Sequence, residues 1–346
     1  MRFNDSLRRA LFSFLTAAAL AATLAASGGA AAQDAAKQNP PPASKGEVEL
    51  GQKINKAPDA AAKLALAEEF VKKYPKSAYR QQLSEYVGGE VNAVTDPAQK
   101  LTLVEKYIAA FNAPGEGDRM TPVLIDLYVT ANRLDDAYRV AAPWLTANPS
   151  NVRMRTRLAL VGIGEAQKQN PKFATQSIEY ARQAVALMEA PASPAGETDA
   201  AQWQTFKAQW QPQLHQALGI VAWSANNAAE ARTHFDKAIA LNIADPTTFV
   251  LSADLADREY VAMAEKYKSM SPGAEQDAQL KRALEKLDQA IDLYARAVAH
   301  AEGKPEYAAL RTQVMEPLTA YYKYRHNGST DGLQQLIDKH KPAAKP

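Results

Sequence analysis

The chain has 346 residues, 47% of them apolar, which is enough to build one large domain or two ordinary ones. The absence of cysteine excludes disulfide bonds, thiolate nucleophiles, cysteine-ligated zinc and a lipid-modified N-terminal cysteine. The 40 basic and 38 acidic residues give a net charge of +2, far from the basic excess of a nucleic-acid-binding surface, so we expect no nucleic-acid partner.

Residues 1–32 have the three parts of a secretory signal peptide. Arg2, Arg8 and Arg9 precede an apolar run to about Ala26, and a stretch of small residues ends at Ala32. We predict cleavage after Ala32, a periplasmic or secreted protein, and no membrane span in the mature chain. The alternative is an uncleaved membrane anchor, but the run is mostly alanine and at the short end of the roughly 17–25 residues that a span needs.

A linker is predicted for residues 33–45, which are rich in proline and alanine and contain no core-forming residues. Without residues 1–32, the chain has 37 basic and 37 acidic residues. Its formal charge is then zero, so overall electrostatic attraction is not the means by which it finds a partner.

From residue 46 onward, the sequence repeats at an offset of 37 residues. Residues 63–71 (KLALAEEFV) match residues 100–108 (KLTLVEKYI) at Lys, Leu, Leu and Glu, and Phe70 aligns with Tyr107. A further 37 residues bring this aromatic position to Trp144. Recurrence at this length is typical of stacked structural units.

Each unit has two amphipathic stretches of about four turns, with apolar residues three and four positions apart. Short turns rich in Asn or Asp separate them, as at residues 132–135 and 226–227. Two helices cannot bury their apolar faces alone, so each pair must pack on its neighbours. The sequence therefore predicts an all-α, helix-turn-helix repeat solenoid.

Two segments resemble the tetratricopeptide repeat family, whose consensus has small residues in both helices, a later aromatic residue and a closing proline. In residues 212–245 these positions hold Gly219, Ala231, Phe235 and Ala238, with the proline displaced to Pro246. In residues 118–151 the corresponding residues are Tyr128, Ala137, Trp144 and Pro149, with Ala141 at the usual aromatic position. The resemblance covers about residues 50–300 and implies a right-handed superhelix that binds peptides or proteins.

The domain organisation follows from where this pattern is interrupted. We predict N-terminal helical repeats at 46–190, an inserted loop at 191–200, C-terminal repeats with long helices at 201–326, and a terminal helix and tail at 327–346. The long helices are expected at about 247–270, 275–301 and 305–326, with a short one at 330–340. The last two are predicted to form a cap over the final apolar face.

The sequence contains no recognisable catalytic or metal-binding motif. No two of the five histidines are three or four residues apart, and HExxH, GxSxG and GxxxxGK[ST] are all missing. The five are His215, His234, His300, His326 and His340. We therefore predict no catalytic residues, no cofactor and no metal.

Candidate partner-binding residues come from the resemblance, because ligand peptides in that family lie along the first helices of successive repeats. Arginine can hold a carboxylate through paired hydrogen bonds, and tryptophan can stack on a peptide side chain. The alternative is that the tryptophan fills core and the arginines are solvated. The matching positions are Asp126, Arg153, Arg157, Gln216, Ile220 and Trp223.

A second aromatic group, at residues 321, 322 and 324, is expected to expose at least one tyrosine, because adjacent residues on a helix face different ways. Together these features predict a scaffold of the bacterial cell envelope that binds proteins or peptides. Two alternatives stay open. One is a small-ligand carrier with a pocket around Trp203, Trp210 and Trp223, and the other is an enzyme whose site is assembled from scattered residues.

Overall fold

The computed structural model describes residues 43–342, which form α-helices, two short 3₁₀ turns and loops, with no strand among them. The predicted signal peptide and the greater part of the predicted linker lie outside this range. The helices are α1 Lys45–Lys56, α2 Ala60–Lys73, α3 Arg80–Asn92, α4 Pro97–Ala110, α5 Thr121–Thr130, α6 Leu134–Ala147, α7 Val152–Gln167, α8 Ala174–Glu189, α9 Ala200–Ser224, α10 Ala228–Ala240, α11 Pro246–Lys268, α12 Ala274–Ala301, α13 Ala308–Arg325 and α14 Leu333–Lys339.

The helices group into two compact units, whose described parts are residues 43–154 and 155–342. In the N-terminal unit each of α1 to α5 packs against the next helix in sequence, and in the C-terminal unit each of α8 to α12 does the same. This pattern of consecutive packing confirms the predicted helical repeat. None of the helices in residues 43–342 is both long enough and apolar enough to cross a membrane.

The 37-residue period is visible in the N-terminal unit. Helices α2, α4 and α6 each have 14 residues and begin at Ala60, Pro97 and Leu134, each 37 positions after the last. All three end in the same way, at a C-cap residue with ψ between 62° and 68°. Phe70 and the aligned Tyr107 are both buried. The sequence repeat is therefore a repeat of structure.

Asparagine makes the turn within a helix pair. Asn132 between α5 and α6, and Asn226 between α9 and α10, both adopt positive φ, at 56° and 58°. This left-handed conformation is one that asparagine tolerates better than most residues, because its side chain hydrogen-bonds locally. The turn predicted at residues 226–227 is confirmed, and the one predicted at residues 132–135 is shorter than expected, because α6 already begins at Leu134.

Small residues let α9 and α10 approach closely in the C-terminal unit. A Cβ atom on Gly219 would lie only 2.5 Å from Cε1 of Phe235. Phe235, Ala231 and Ala238 are fully buried opposite it. The small and aromatic positions that carry the family resemblance thus meet at one helix-helix contact.

Beyond Pro246, which begins α11, the helices lengthen as predicted. Helices α11 and α12, of 23 and 28 residues, form a long antiparallel hairpin. Helix α14 packs on α12 through buried Leu333 and Ile337, and the hydroxyl of Tyr322 on α13 donates to the carbonyl of Asp331. This is the predicted cap. Its last helix begins at Leu333 rather than about residue 330, because Gly332 at φ 90° interrupts the helical backbone.

Candidate functional site

Three of the six predicted partner-binding residues lie together on α9. Gln216, Ile220 and Trp223 are buried along one stretch of this helix. Arg157, on α7, belongs to the same unit and is half-buried. Asp126 on α5 and Arg153 at the start of α7 are also half-buried but belong to the N-terminal unit.

Two of these α9 residues contact the first half of α11. The side-chain amide of Gln216 donates to Oδ2 of Asp245 at 2.7 Å, and Asp245 caps the N-terminus of α11. The indole Nε1 of Trp223 donates to Oδ2 of Asp254 at 2.8 Å. The predicted binding residues therefore connect the first helices of two successive helix pairs.

A polar and aromatic group, which we call the Trp223 cluster, surrounds this contact. It joins α9, α11 and α13 on the first-helix side of three successive helix pairs. Asp254 lies within the buried first half of α11, and the half-buried Asp257 and Arg258 directly follow it, so the charged members are placed where water is scarce. The members are Trp223, Asp254, Asp257, Arg258 and Tyr321.

Arg258 lies over the indole ring of Trp223, with its guanidinium carbon 5.5 Å from the ring centroid. Its Nη2 forms an ion pair with Oδ2 of Asp254, the oxygen that also accepts from Trp223. Nε of Arg258 is buried and donates to no acceptor within residues 43–342. The side chain as a whole is 27% exposed, but its Nε and Nη2 atoms are both buried, so most of the guanidinium is fixed on an aromatic surface and only the rest of the side chain reaches solvent.

Asp257 and Tyr321 form the second contact of the cluster. The Tyr321 hydroxyl donates to Oδ1 of Asp257 at 2.6 Å. Burial raises the pKa of Asp257, while the hydrogen bond from Tyr321 acts in the opposite direction. Burial and the adjacent carboxylate also raise the pKa of Tyr321 well above its usual range. A carboxylate shielded in this way accepts hydrogen bonds more strongly than one in water.

Two tyrosines extend the cluster toward solvent. Tyr260 on α11 packs edge-on against Tyr321, with ring centroids 6.2 Å apart. Tyr324 on α13 is 63% exposed, which confirms that the group at residues 321–324 presents an aromatic side chain to solvent. Tyrosine at a solvent-accessible edge is typical of protein-binding surfaces, because the ring buries large area and the hydroxyl stays hydrogen-bonded.

Sequence reasoning missed the charged members of the cluster. Asp257 and Arg258 follow Asp254 by three and four residues, so each lies on nearly the same helix face as Asp254, and the three interrupt the apolar residues of α11. This interruption of the apolar pattern was the sequence signal that could have identified the charged members. It did not show which partners these side chains would meet, because Trp223 is 31 positions away and Tyr321 is 64 positions away.

The tryptophans of α9 do not line one pocket. Trp203 stacks on Phe206, and Phe206 contacts Trp210, with centroid separations of 5.9 and 6.4 Å. Trp223 lies 13 residues beyond Trp210, about 20 Å further along the helix. The pocket that a small-ligand carrier would need around all three tryptophans is therefore absent from the described residues.

An open groove of about 450 Å³ lies in the N-terminal unit, between α2 and α4. It mixes apolar and charged side chains and contains no histidine. Its lining residues are Glu68, Val71, Lys72, Pro75, Lys106, Ala109, Ala110 and Asn112. Within residues 43–342, no group of three or more His, Asp or Glu side chains is placed to hold a metal ion.

No protein-family model matches the sequence. No curated protein sequence matches it either.

Proposed function

We propose that the chain is an exported helical-repeat scaffold of the tetratricopeptide type that binds a protein or peptide at the Trp223 cluster. The cluster lies on the first-helix side of the repeats, which is the side that the family resemblance implies for peptide binding. Arg258 offers hydrogen bonds to a partner carboxylate or main-chain carbonyl. The exposed ring of Tyr324, at the edge of the cluster, offers the aromatic area on which binding energy concentrates.

The observation that supports this proposal most is the burial of charged side chains in the Trp223 cluster, since removing charges from water is unfavourable for folding. Asp254 is 4% exposed, and Arg258 forms an ion pair with it at the end of the buried first half of α11. Apolar residues of similar volume in place of a buried ion pair often leave a protein equally stable or more stable. A buried ion pair whose arginine side chain is still 27% exposed is therefore better explained by recognition of a partner than by stability of the fold.

The proposed location is the periplasm or the medium, by the signal peptide predicted for residues 1–32. The test is N-terminal sequencing of the protein purified from a bacterial host. We expect the first residue to be Gln33, and an intact Met1 would contradict the export proposal.

Peptide binding is tested by selecting displayed peptides on the immobilised protein and measuring the affinity of the enriched sequences by calorimetry. We expect Arg258→Gln to weaken binding at least tenfold, since loss of one partner of a buried charged hydrogen bond costs about 2–5 kcal/mol. Circular dichroism verifies that the variant is still helical.

The matched control is Arg282→Gln, which removes the same charge from an exposed position on α12. We expect this variant to bind as the parent protein does. The proposal is wrong if no peptide is enriched, or if both arginine variants bind the enriched peptides equally well.

A further inference from the structure

Two histidines that are 19 positions apart in sequence meet inside the C-terminal unit. Nδ1 of His215 on α9 lies 3.0 Å from Nδ1 of His234 on α10. The side chain of His215 is completely buried, and that of His234 is 16% exposed. Their rings are tilted by 36°, with centroids 5.3 Å apart. We call these two residues the histidine pair.

A carboxylate faces the far nitrogen of each ring. Oε1 of Glu189, at the end of α8, is 3.4 Å from Nε2 of His215 and also accepts from Nζ of Lys237 at 2.7 Å. Oε1 of Glu230 is 4.0 Å from Nε2 of His234 and accepts from Arg182 at 3.2 Å. The titratable groups around the pair are therefore two carboxylates, each already paired with a cation, from α8 and α10.

One arrangement of protons satisfies the pair when both rings are neutral. His215 carries its proton on Nε2, toward Glu189, and its bare Nδ1 accepts from Nδ1–H of His234. His234 then has a bare Nε2 at the more exposed side of the pair. A first added proton binds at this Nε2, close to Glu230, and leaves the bond between the two rings intact.

A second added proton has no such place. It must bind Nδ1 of His215, where it points directly at the Nδ1–H of His234 across 3.0 Å. Two donors then face each other and two positive charges lie side by side in a buried site, which is strongly unfavourable at low effective dielectric. The strain is relieved only if the rings, and the helices that carry them, move apart.

We propose that the histidine pair makes the junction of α8, α9 and α10 acid-labile, by holding one proton in place and accepting a second only when α9 separates from α10. Where the proposed function holds, this opening would also loosen the Trp223 cluster, because α9 carries both His215 and Trp223. The acid lability itself is a property of the fold and is measured without any partner.

The direction of the effect follows from the pKa values. Burial lowers the pKa of His215 from 6.5 to about 4, and burial also lowers the pKa of His234. Between pH 6.5 and about 4, the unfolded chain therefore binds more protons than the folded one. Stability is complete well above pH 6.5 and falls as the pH is lowered, and His215 by itself raises the unfolding constant by up to about tenfold per pH unit in this window.

The experiment is urea unfolding of the purified protein between pH 7.5 and 5, followed by tryptophan fluorescence, since three of the four tryptophans lie on α9. We expect the unfolding constant of the parent protein to rise as the pH falls below 6.5. In His215→Gln, whose side chain cannot be charged, this rise should be smaller by about tenfold per pH unit. His234→Gln should reduce the pH dependence by a smaller amount, because it removes the opposing donor and charge while His215 stays buried. Its partly exposed position keeps the test usable if His215→Gln fails to fold.

The matched control is His326→Gln, at an exposed position on the C-cap of α13, which should leave the pH dependence unchanged. Hydrogen exchange, corrected for intrinsic rates, should show faster exchange in α9 and α10 at pH 5 than at pH 7. Equal pH slopes in the parent protein and both pair variants would overturn the proposal. Stoichiometric zinc binding that both pair variants abolish would overturn it as well, because the pair would then be a metal site.

Discussion

Both units are built from helix pairs, but the lengths of their helices differ. In the N-terminal unit α2, α4 and α6 keep one length and one spacing, whereas α9, α11 and α12 in the C-terminal unit extend to 25, 23 and 28 residues. The longer helices α9 and α11 carry His215 and most of the Trp223 cluster, whereas His234 lies on the 13-residue α10 and Tyr321 on α13. The part of the molecule that departs from the 37-residue period is therefore also the part that contains these buried groups.

The units also differ in how their buried polar groups are satisfied. In the N-terminal unit, Arg80 donates from Nε and Nη2 to the two carboxylate oxygens of Glu116, each at 2.7 Å. The hydroxyls of Ser84 and Tyr107 donate to the carbonyl of the same Glu116. This closed network fixes the connection between α4 and α5. In the C-terminal unit, by contrast, Nε of Arg258 has no acceptor among the described residues.

If the closed network is structural, breaking it should have the largest effect on stability. We expect Glu116→Ala to lower the free energy of unfolding by about 3–5 kcal/mol, because Arg80 is left as a buried, unpaired charge. The measurement is urea unfolding with hydrogen exchange to locate the change in α3 and α4. Glu85→Ala, which removes an exposed partner of Arg119, should cost less than about 1 kcal/mol. Equal losses of stability in Glu116→Ala and Glu85→Ala would show that the network contributes no more than an exposed ion pair.

A smaller effect is expected at the close contact in the C-terminal unit. Gly219→Ala places a Cβ atom 2.5 Å from Phe235, so α9 and α10 must shift, at a cost of about 1–3 kcal/mol. The same substitution at Gly164 on α7 meets nothing within 4 Å and should stabilise the helix by about 0.5–1 kcal/mol. Thermal unfolding compares the two, and a loss at Gly164 as large as at Gly219 would contradict the close-packing explanation.

The smallest effects concern the turn that both units share. Asn132→Ala and Asn226→Ala force alanine into a left-handed conformation, and each should cost about 1 kcal/mol. Glycine at either position should restore most of the loss, because it adopts positive φ freely. Chemical denaturation of the four variants is the measurement. Unequal losses at the two positions would show that the turns of the two units are not equivalent.

The predicted and observed folds agree because the signals of a helical repeat are local. Helix period and asparagine turns such as those at Asn132 and Asn226 each act within a few positions. They were sufficient to locate the repeat and the long helices near the C-terminus. The predicted site residues on α9 were found because the resemblance pointed to first helices.

The partners of those residues were beyond reach of the sequence alone. The sequence left Trp223 as either a core or a binding residue, and its burial and its contacts with Asp254 and Arg258 are seen only in the structure. His215 and His234 showed no metal-like or catalytic spacing, yet they lie 3.0 Å apart.

The sequence by itself determined where the helices begin, turn and end, because those choices depend on neighbours along the chain. Only the tertiary structure decided which buried charged, aromatic and imidazole groups meet. The physical reason is that contacts between helices depend on how each helix is rotated and how closely it packs. The 3.6-residue period shows which face of a helix is buried, but not which atoms of two helices touch.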